Sequence, residues 1–123
     1  MRGAEKLRDT GWDIEPHEKA VGVIVATRKT DNSEVFFEVS EKGENGEEFV
    51  IAQVGRTPIL QKGRGEASRA LTELLAHVAQ QGYTDIRATH VTTTGRRYWV
   101  RNGFRKIPKH PQGDYRYVSG TLA

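Results

Sequence analysis

Gln61-Lys62-Gly63-Arg64-Gly65-Glu66-Ala67 joins a glycine-rich turn to the start of a helix, and this junction decides the fold. Two glycines one residue apart let the backbone turn tightly and bring successive amides close to a ligand. Behind them Ala67, Ala70, Leu71, Leu74, Leu75, Val78 and Ala79 recur with the spacing of one helical face, the pattern of a helix lying on a core. A helix opening here presents its first amides without intrahelical partners and carries partial positive charge at that end. Lys62 and Arg64 add two full charges. The junction suits an anionic group such as a phosphate, although glycine-rich turns before helices also serve simply as connectors.

Working upstream, residues 49–54 read as a strand, preceded by a polar turn at 42–46, a strand at 35–39, a turn at 30–33 and a strand at 21–27. Two short polar connections between three β-rich runs predict an antiparallel meander. Residues 1–19 read as a polar N-terminal arm with a short helix around 4–8. Downstream, the long helix is expected to run to about residue 81 and to stop at Gly82, followed by a strand at 84–90. Strand, helix and strand in this order leave two parallel strands at the centre of the sheet. Thr94 is expected to cap a short helix through Asn102, ended by Gly103, and strands at 104–107 and 115–119 complete the sheet. The expected fold class is a mixed α/β (α+β) sheet in one domain spanning 1–123, with antiparallel N-terminal strands, a central βαβ unit and a short C-terminal helix with two strands.

Composition removes several functions. With no cysteine in 123 residues, disulfides, thiolate zinc sites and a cysteine nucleophile are excluded. The longest apolar run, 21–26, contains a glycine and is far too short to span a membrane, and the first 13 residues lack an apolar signal core. A soluble, cytoplasmic protein is the expectation. The net charge of +3 conceals an asymmetry: residues 1–60 hold 8 Lys/Arg against 12 Asp/Glu, whereas 61–123 hold 11 against 4. The two halves thus carry −4 and +7. The positive half begins at the glycine-rich junction, which suggests a polyanionic partner there, either a nucleotide-like cofactor or a nucleic acid.

Gly63-x-Gly65 opening a long helix, a strand after it, and Gly95-Arg96-Arg97-Tyr98-Trp99-Val100-Arg101-Asn102-Gly103-Phe104 together resemble the GNAT superfamily of acyl-CoA N-acyltransferases over about residues 47–107. The resemblance implies a GNAT-like fold, acetyl-CoA as acyl donor, and an amine as acceptor. It further implies that Gln61, Lys62, Gly63, Arg64, Gly65, Glu66, Ala67 and Ser68 hold the coenzyme A pyrophosphate, and that the strand ending at Val54 runs beside the pantetheine arm. The chain departs from the pattern at Leu60, where the family has Arg or Gln, and at Trp99, which stands at the position of the family's proton-donating tyrosine. An indole N–H has no usable acidity, so Tyr98, one residue earlier, becomes the candidate acid. Neighbouring helix residues point about 100° apart, so that shift needs a structural justification. Glu48 and His90, and less directly Glu47, are the candidate bases, read against their alternatives as turn or structural residues.

The implied activity is transfer of an acetyl group to an amine on a protein or other large acceptor. Such proteins usually place two helices between the first and second strands, and the short N-terminal region here leaves an open acceptor side, which a second subunit in a homodimer could complete. Two other functions compete. One is a GNAT-like module that binds coenzyme A or a protein without catalysing transfer. The other is a nucleic-acid-binding protein, for which Arg96, Arg97, Arg101, Arg105, Lys106 and Lys109 interleave with Tyr98, Trp99 and Phe104; a solvated basic rim around a core aromatic pair is the favoured alternative there.

Overall fold

A computed structural model describes residues 5–29, 33–58, 65–89, 91, 95–108 and 114–118. In chain order these form a 3-10 turn (Lys6–Thr10), β1 (Asp13–Pro16), β2 (Ile24–Lys29), β3 (Ser33–Lys42), β4 (Glu48–Pro58), α1 (Glu66–Ala79), β5 (Asp85–Ala88), α2 (Arg96–Arg101), β6 (Phe104–Lys106) and β7 (Tyr115–Tyr117). The seven strands make one sheet in the order β1-β2-β3-β4-β5-β7-β6. Only β4 and β5 are parallel; every other neighbouring pair is antiparallel. The meander and the central parallel pair are those expected from the sequence.

Helix α1 buries Ala70, Leu71, Leu74, Leu75 and Val78, the face its periodicity marks, while Ala79 at its end stays exposed. Each fully buried leucine or valine contributes roughly 1.5–3 kcal/mol of transfer free energy. The helix lies on the sheet face formed by Val35, Phe37 and Val39 of β3, Phe49 and Ile51 of β4, and Ile86 and Ala88 of β5. Register explains why these side chains share a face: Val39 stands opposite Ile51, Phe49 opposite Ile86, and Ile51 opposite Ala88. Helix α2 packs on the same face, where Trp99 meets Phe104 edge-on at 4.9 Å between ring centroids. The opposite face carries a row of paired neighbours, Glu15, Val25 and Glu38, with Phe36 beside them.

The N-terminal region differs from the expected polar arm. Leu7, Trp12 and Ile14 are buried, the Trp12 ring lies 6.0 Å from that of Phe37, and Trp12 Nε1 donates to Glu73 Oε1 of α1 at 2.9 Å. Strand β1 went unread because only Ile14 of its four residues faces the core. It supplies a first strand, joined to β2 by residues 17–23 without a helix. The second strand begins at Ile24 rather than at 21, because Val23 N–H donates to the Ala20 carbonyl and the resulting turn leaves Val21 fully exposed. Strands β3 and β4 run beyond their apolar cores, since residues facing the other side need not be apolar to pair.

Candidate active site

The parallel pair at the centre of the sheet is zipped at one end and open at the other. Strand β5 pairs with β4 over Glu48–Ile51 only, and the last bond runs from Thr89 N–H to the Ile51 carbonyl at 3.0 Å. The pairing of β4 with β3 skips one residue at this level: Val39 stands opposite Ile51 and Glu38 opposite Gln53, so Ala52 is an extra residue in β4. Such a bulge bends a strand and increases its twist. Among the described residues, strand β4 then continues to Pro58 alongside β3 alone. Its β5-facing edge, which includes Val54, is therefore a row of backbone groups able to bond an extended ligand.

Helix α1 begins beside this opening. Gly65 caps it with φ +76°, a left-handed conformation that glycine adopts without steric penalty, and a Cβ built there would meet nothing within 4 Å. The first helical bond is Arg69 N–H to the Gly65 carbonyl, so the amides of Glu66, Ala67 and Ser68 lie ahead of the helical ladder. Space at Gly65, amides outside the helical ladder and the positive end of the helix dipole match the needs of a diphosphate. Gln61, Lys62, Gly63 and Arg64 lie outside the described residues.

Helix α2 closes on that first turn. Tyr98 Oη donates to the Ala67 carbonyl at 2.9 Å, and Asn102 Nδ2 donates to Ser68 Oγ at 3.2 Å and to its own helix at the Tyr98 carbonyl, 2.7 Å. Residues 98 and 102 are one helical turn apart, so both reach the same neighbour. With Asn102 occupying an oxygen lone pair, the Ser68 hydroxyl keeps its proton for an acceptor of its own. Burial pushes the Tyr98 phenol above its ordinary range, which keeps it protonated. Trp99 points elsewhere: it is buried between the Tyr98 ring at 5.1 Å and Phe104 at 4.9 Å, both edge-on. Trp99 fills the core, and the hydroxyl at the helix terminus is that of Tyr98. Gly95 caps α2 without a side-chain bond, and Thr94 lies outside the described residues.

The candidate bases fall apart geometrically. Glu48 opens β4 at the zipped end, the far end of the strand from Pro58, and its Oε1 lies 3.1 Å from Arg87 Nη2. Arg87 Nε also donates to Asp85 Oδ2 at 2.7 Å, and Arg116 Nε to Asp85 Oδ1 at 3.0 Å, so Glu48 belongs to a cross-strand ion-pair network. Asp85 above all holds the Arg87 guanidinium even more firmly protonated than usual. Glu47 folds back on its turn, where Oε2 accepts the Asn45 N–H at 2.9 Å. His90 lies outside the described residues.

A different carboxylate lies at the bulge. Glu38 stands opposite Gln53, the residue next to Ala52, and its Oε1 lies 2.5 Å from His17 Nε2. His17 Nδ1 accepts the N–H groups of Lys19 and Ala20, both at 3.0 Å, which places the ring proton on Nε2, facing Glu38. The pair lines a groove of about 510 Å³ on the sheet face opposite the helices. Neither residue was singled out from sequence. An acidic residue in an alternating strand looks like ordinary solvent-facing polarity, and only the register against β4 sets it apart.

No protein-family model matches the sequence, and no curated protein matches it. Solved structures do. The GNAT domain of S. lividans PAT superposes with a TM-score of 0.53 at 17% identity, over 81% of this chain and 61% of that one. Arabidopsis thaliana Naa50, in complex with the bisubstrate analogue CoA-Ac-MVNAL, superposes with a TM-score of 0.51 at 17% identity, over 90% of this chain and 85% of that one. A GNAT family acetyltransferase from Brucella melitensis, in complex with acetyl-CoA, matches with a TM-score of 0.45 at 18% identity, over 96% of this chain and 75% of that one. The chain thus spans less than two thirds of the S. lividans domain. The fold is that of the GNAT acetyltransferases.

Proposed function

We propose that this protein is an acyl-CoA N-acyltransferase that takes acetyl-CoA as donor and an amine of a peptide or protein as acceptor. One juxtaposition supports the assignment: the Tyr98 hydroxyl lies on the first turn of the glycine-capped helix α1, the helix that follows the end of β4 beyond its pairing with β5. The neighbours support it, since Naa50 was captured with a bisubstrate analogue joining CoA, acetyl and the peptide MVNAL.

The described residues fit the donor. The amides of Glu66, Ala67 and Ser68, the Ser68 hydroxyl and residues 61–64 would hold the pyrophosphate, and the free edge of β4 around Val54 would bond the pantetheine amides. When bound, acetyl-CoA supplies an acyl group activated as a thioester. Transfer to an amine then asks two things of the protein: removal of two protons from the ammonium acceptor, one before attack and one as the amide forms, and return of one to the departing sulfur. Tyr98 Oη holds a proton at the helix terminus. Rotation of that O–H away from the Ala67 carbonyl makes it available to a neighbouring acceptor. Glu38 is assigned the base role ahead of Glu48. It lies about one strand spacing (~4.8 Å) from β4, within reach of the opening through a water, whereas Glu48 is neutralised by Arg87 at the wrong end. His17 donates to one Glu38 oxygen and fixes the carboxylate beside the groove, which is assigned to the acceptor.

The test is mass spectrometry of peptides incubated with acetyl-CoA and purified protein. Acetylation of amines by the wild type, and its loss in Tyr98→Phe and Glu38→Gln, is the expected outcome. Acetyl-CoA binding without transfer to any amine would leave a silent coenzyme A-binding module.

A further inference from the structure

Between α2 and the edge strand β6 runs a groove of about 490 Å³ whose charged lining, among the described residues, is all cationic. Arg96, Arg97 and Arg101 come from the helix, Arg105 and Lys106 from the strand, and among the described residues no carboxylate lines it. None of Arg96, Arg97, Arg101 and Lys106 makes an ion pair with another described residue. The groove is separate from the acyl-CoA site. On α2, Tyr98 and Asn102 face the first turn of α1, and Arg96, Arg97 and Val100 are turned from that direction by more than about 100°. Five cations held side by side repel one another, so the arrangement favours an external anion.

We infer that this groove docks an acidic peptide segment of a partner protein that also carries an apolar side chain. The lining chooses between the two polyanions that its charge would attract. Val100 lies within it and is 44% exposed, and the aromatic body of Tyr115 forms another apolar part of the wall. A phosphate backbone gains nothing from covering such a surface, whereas a leucine or phenylalanine side chain between carboxylates does. A single-stranded nucleic acid would need an aromatic face on which to stack a base, and Tyr115, the aromatic residue of the lining, is only 8% exposed. Arginine forks flanking an apolar floor fit glutamate and aspartate side chains flanking an apolar anchor. The inference does not depend on acetyl transfer, since the groove can be read by binding alone.

Fluorescence anisotropy on the full chain tests it with three labelled probes: a peptide of alternating Glu and Leu, the same peptide with Leu replaced by Ser, and a single-stranded RNA of equal charge. The Glu/Leu peptide is expected to bind tightest. The Leu-to-Ser peptide, and separately Val100→Ser in the protein, should each weaken binding about fivefold, the effect of uncovering roughly 40 Å² of apolar surface (about 1 kcal/mol). Arg97→Glu with Arg101→Glu should weaken it more than tenfold, while acetyl-CoA affinity by calorimetry stays unchanged and reports an intact fold. Tighter binding of the RNA, insensitivity to Val100→Ser, or no peptide binding at 150 mM salt would each overturn the proposal. Absence of acetyl-CoA binding in the wild type would count against the transferase assignment and leave the peptide results to stand by themselves.

Discussion

Strands β4 and β5 lie side by side, yet their two ends do opposite things. At the Glu48/Asp85 end the strands are in register, bonded, and clamped across their outer face by Arg87 and Arg116. Beyond Ile51, Ala52 bulges and, among the described residues, β4 continues with β3 as its one strand partner. The closed end uses its charges to satisfy one another. Among the described residues, the open end presents backbone donors, a helix terminus and a phenol bonded to a carbonyl rather than to a charge. Two glutamates on neighbouring strands illustrate the consequence. Glu48 is a cross-strand brace, and Glu38, no different in kind, becomes a candidate base because its partner Gln53 adjoins the bulge. Position along the strand, not residue type, separates the two.

Substitutions at the two ends sharpen that contrast. Tyr98→Phe should have the largest effect on turnover, lowering kcat by about 100-fold with KM for acetyl-CoA changed by less than about threefold; steady-state kinetics read both. Glu38→Gln should lower kcat by about tenfold or more at neutral pH. Glu48→Gln, at the closed end, should leave kcat within about twofold. It should destabilise the fold by about 1 kcal/mol or less, because the Glu48–Arg87 pair is partly exposed and screened; urea unfolding measures it. A rate loss in Glu48→Gln matching that of Glu38→Gln would erase the distinction between the ends.

The smallest effect is a pH dependence of stability. Burial raises the Tyr98 phenol in the folded state, so its contribution is fully present below about pH 10, where the tyrosine of the unfolded chain is also protonated. As pH rises past that value the unfolded chain ionises first and the contribution is lost. Wild-type Tm should therefore fall more steeply above pH 10 than that of Tyr98→Phe.

What could be read from the sequence follows physical range. Helix α1 was legible because seven apolar residues repeat with its period, and the stop of α2 because Gly103 follows it. Tyr98 was legible as a candidate only through the resemblance. Its placement, with Trp99 inward and the phenol on Ala67, required the packing of α2 against Phe104. Strand β1 was hidden because a lone Ile14 makes no pattern. The bulge at Ala52 was hidden for a different reason: register is a property of two strands, and no local run of residues states it. Glu38 and His17 went unnoticed on the same ground, being 21 residues apart in a chain rich in glutamate.

The central claim is that acyl-CoA sits at the open end with its diphosphate on the N-terminus of α1. Calorimetric titration of acetyl-CoA into the wild type, Gly65→Asn and Gly65→Asp tests it most directly. Asn and Asp have nearly the same shape and both tolerate the left-handed conformation at residue 65, so they differ mainly in charge. Wild type should bind, Gly65→Asn should lose no more than about tenfold, and Gly65→Asp should lose at least about 100-fold, the equivalent of 2.8 kcal/mol for a carboxylate held against a phosphate. Equal affinity in the Asn and Asp proteins, or no binding by the wild type, would contradict the claim.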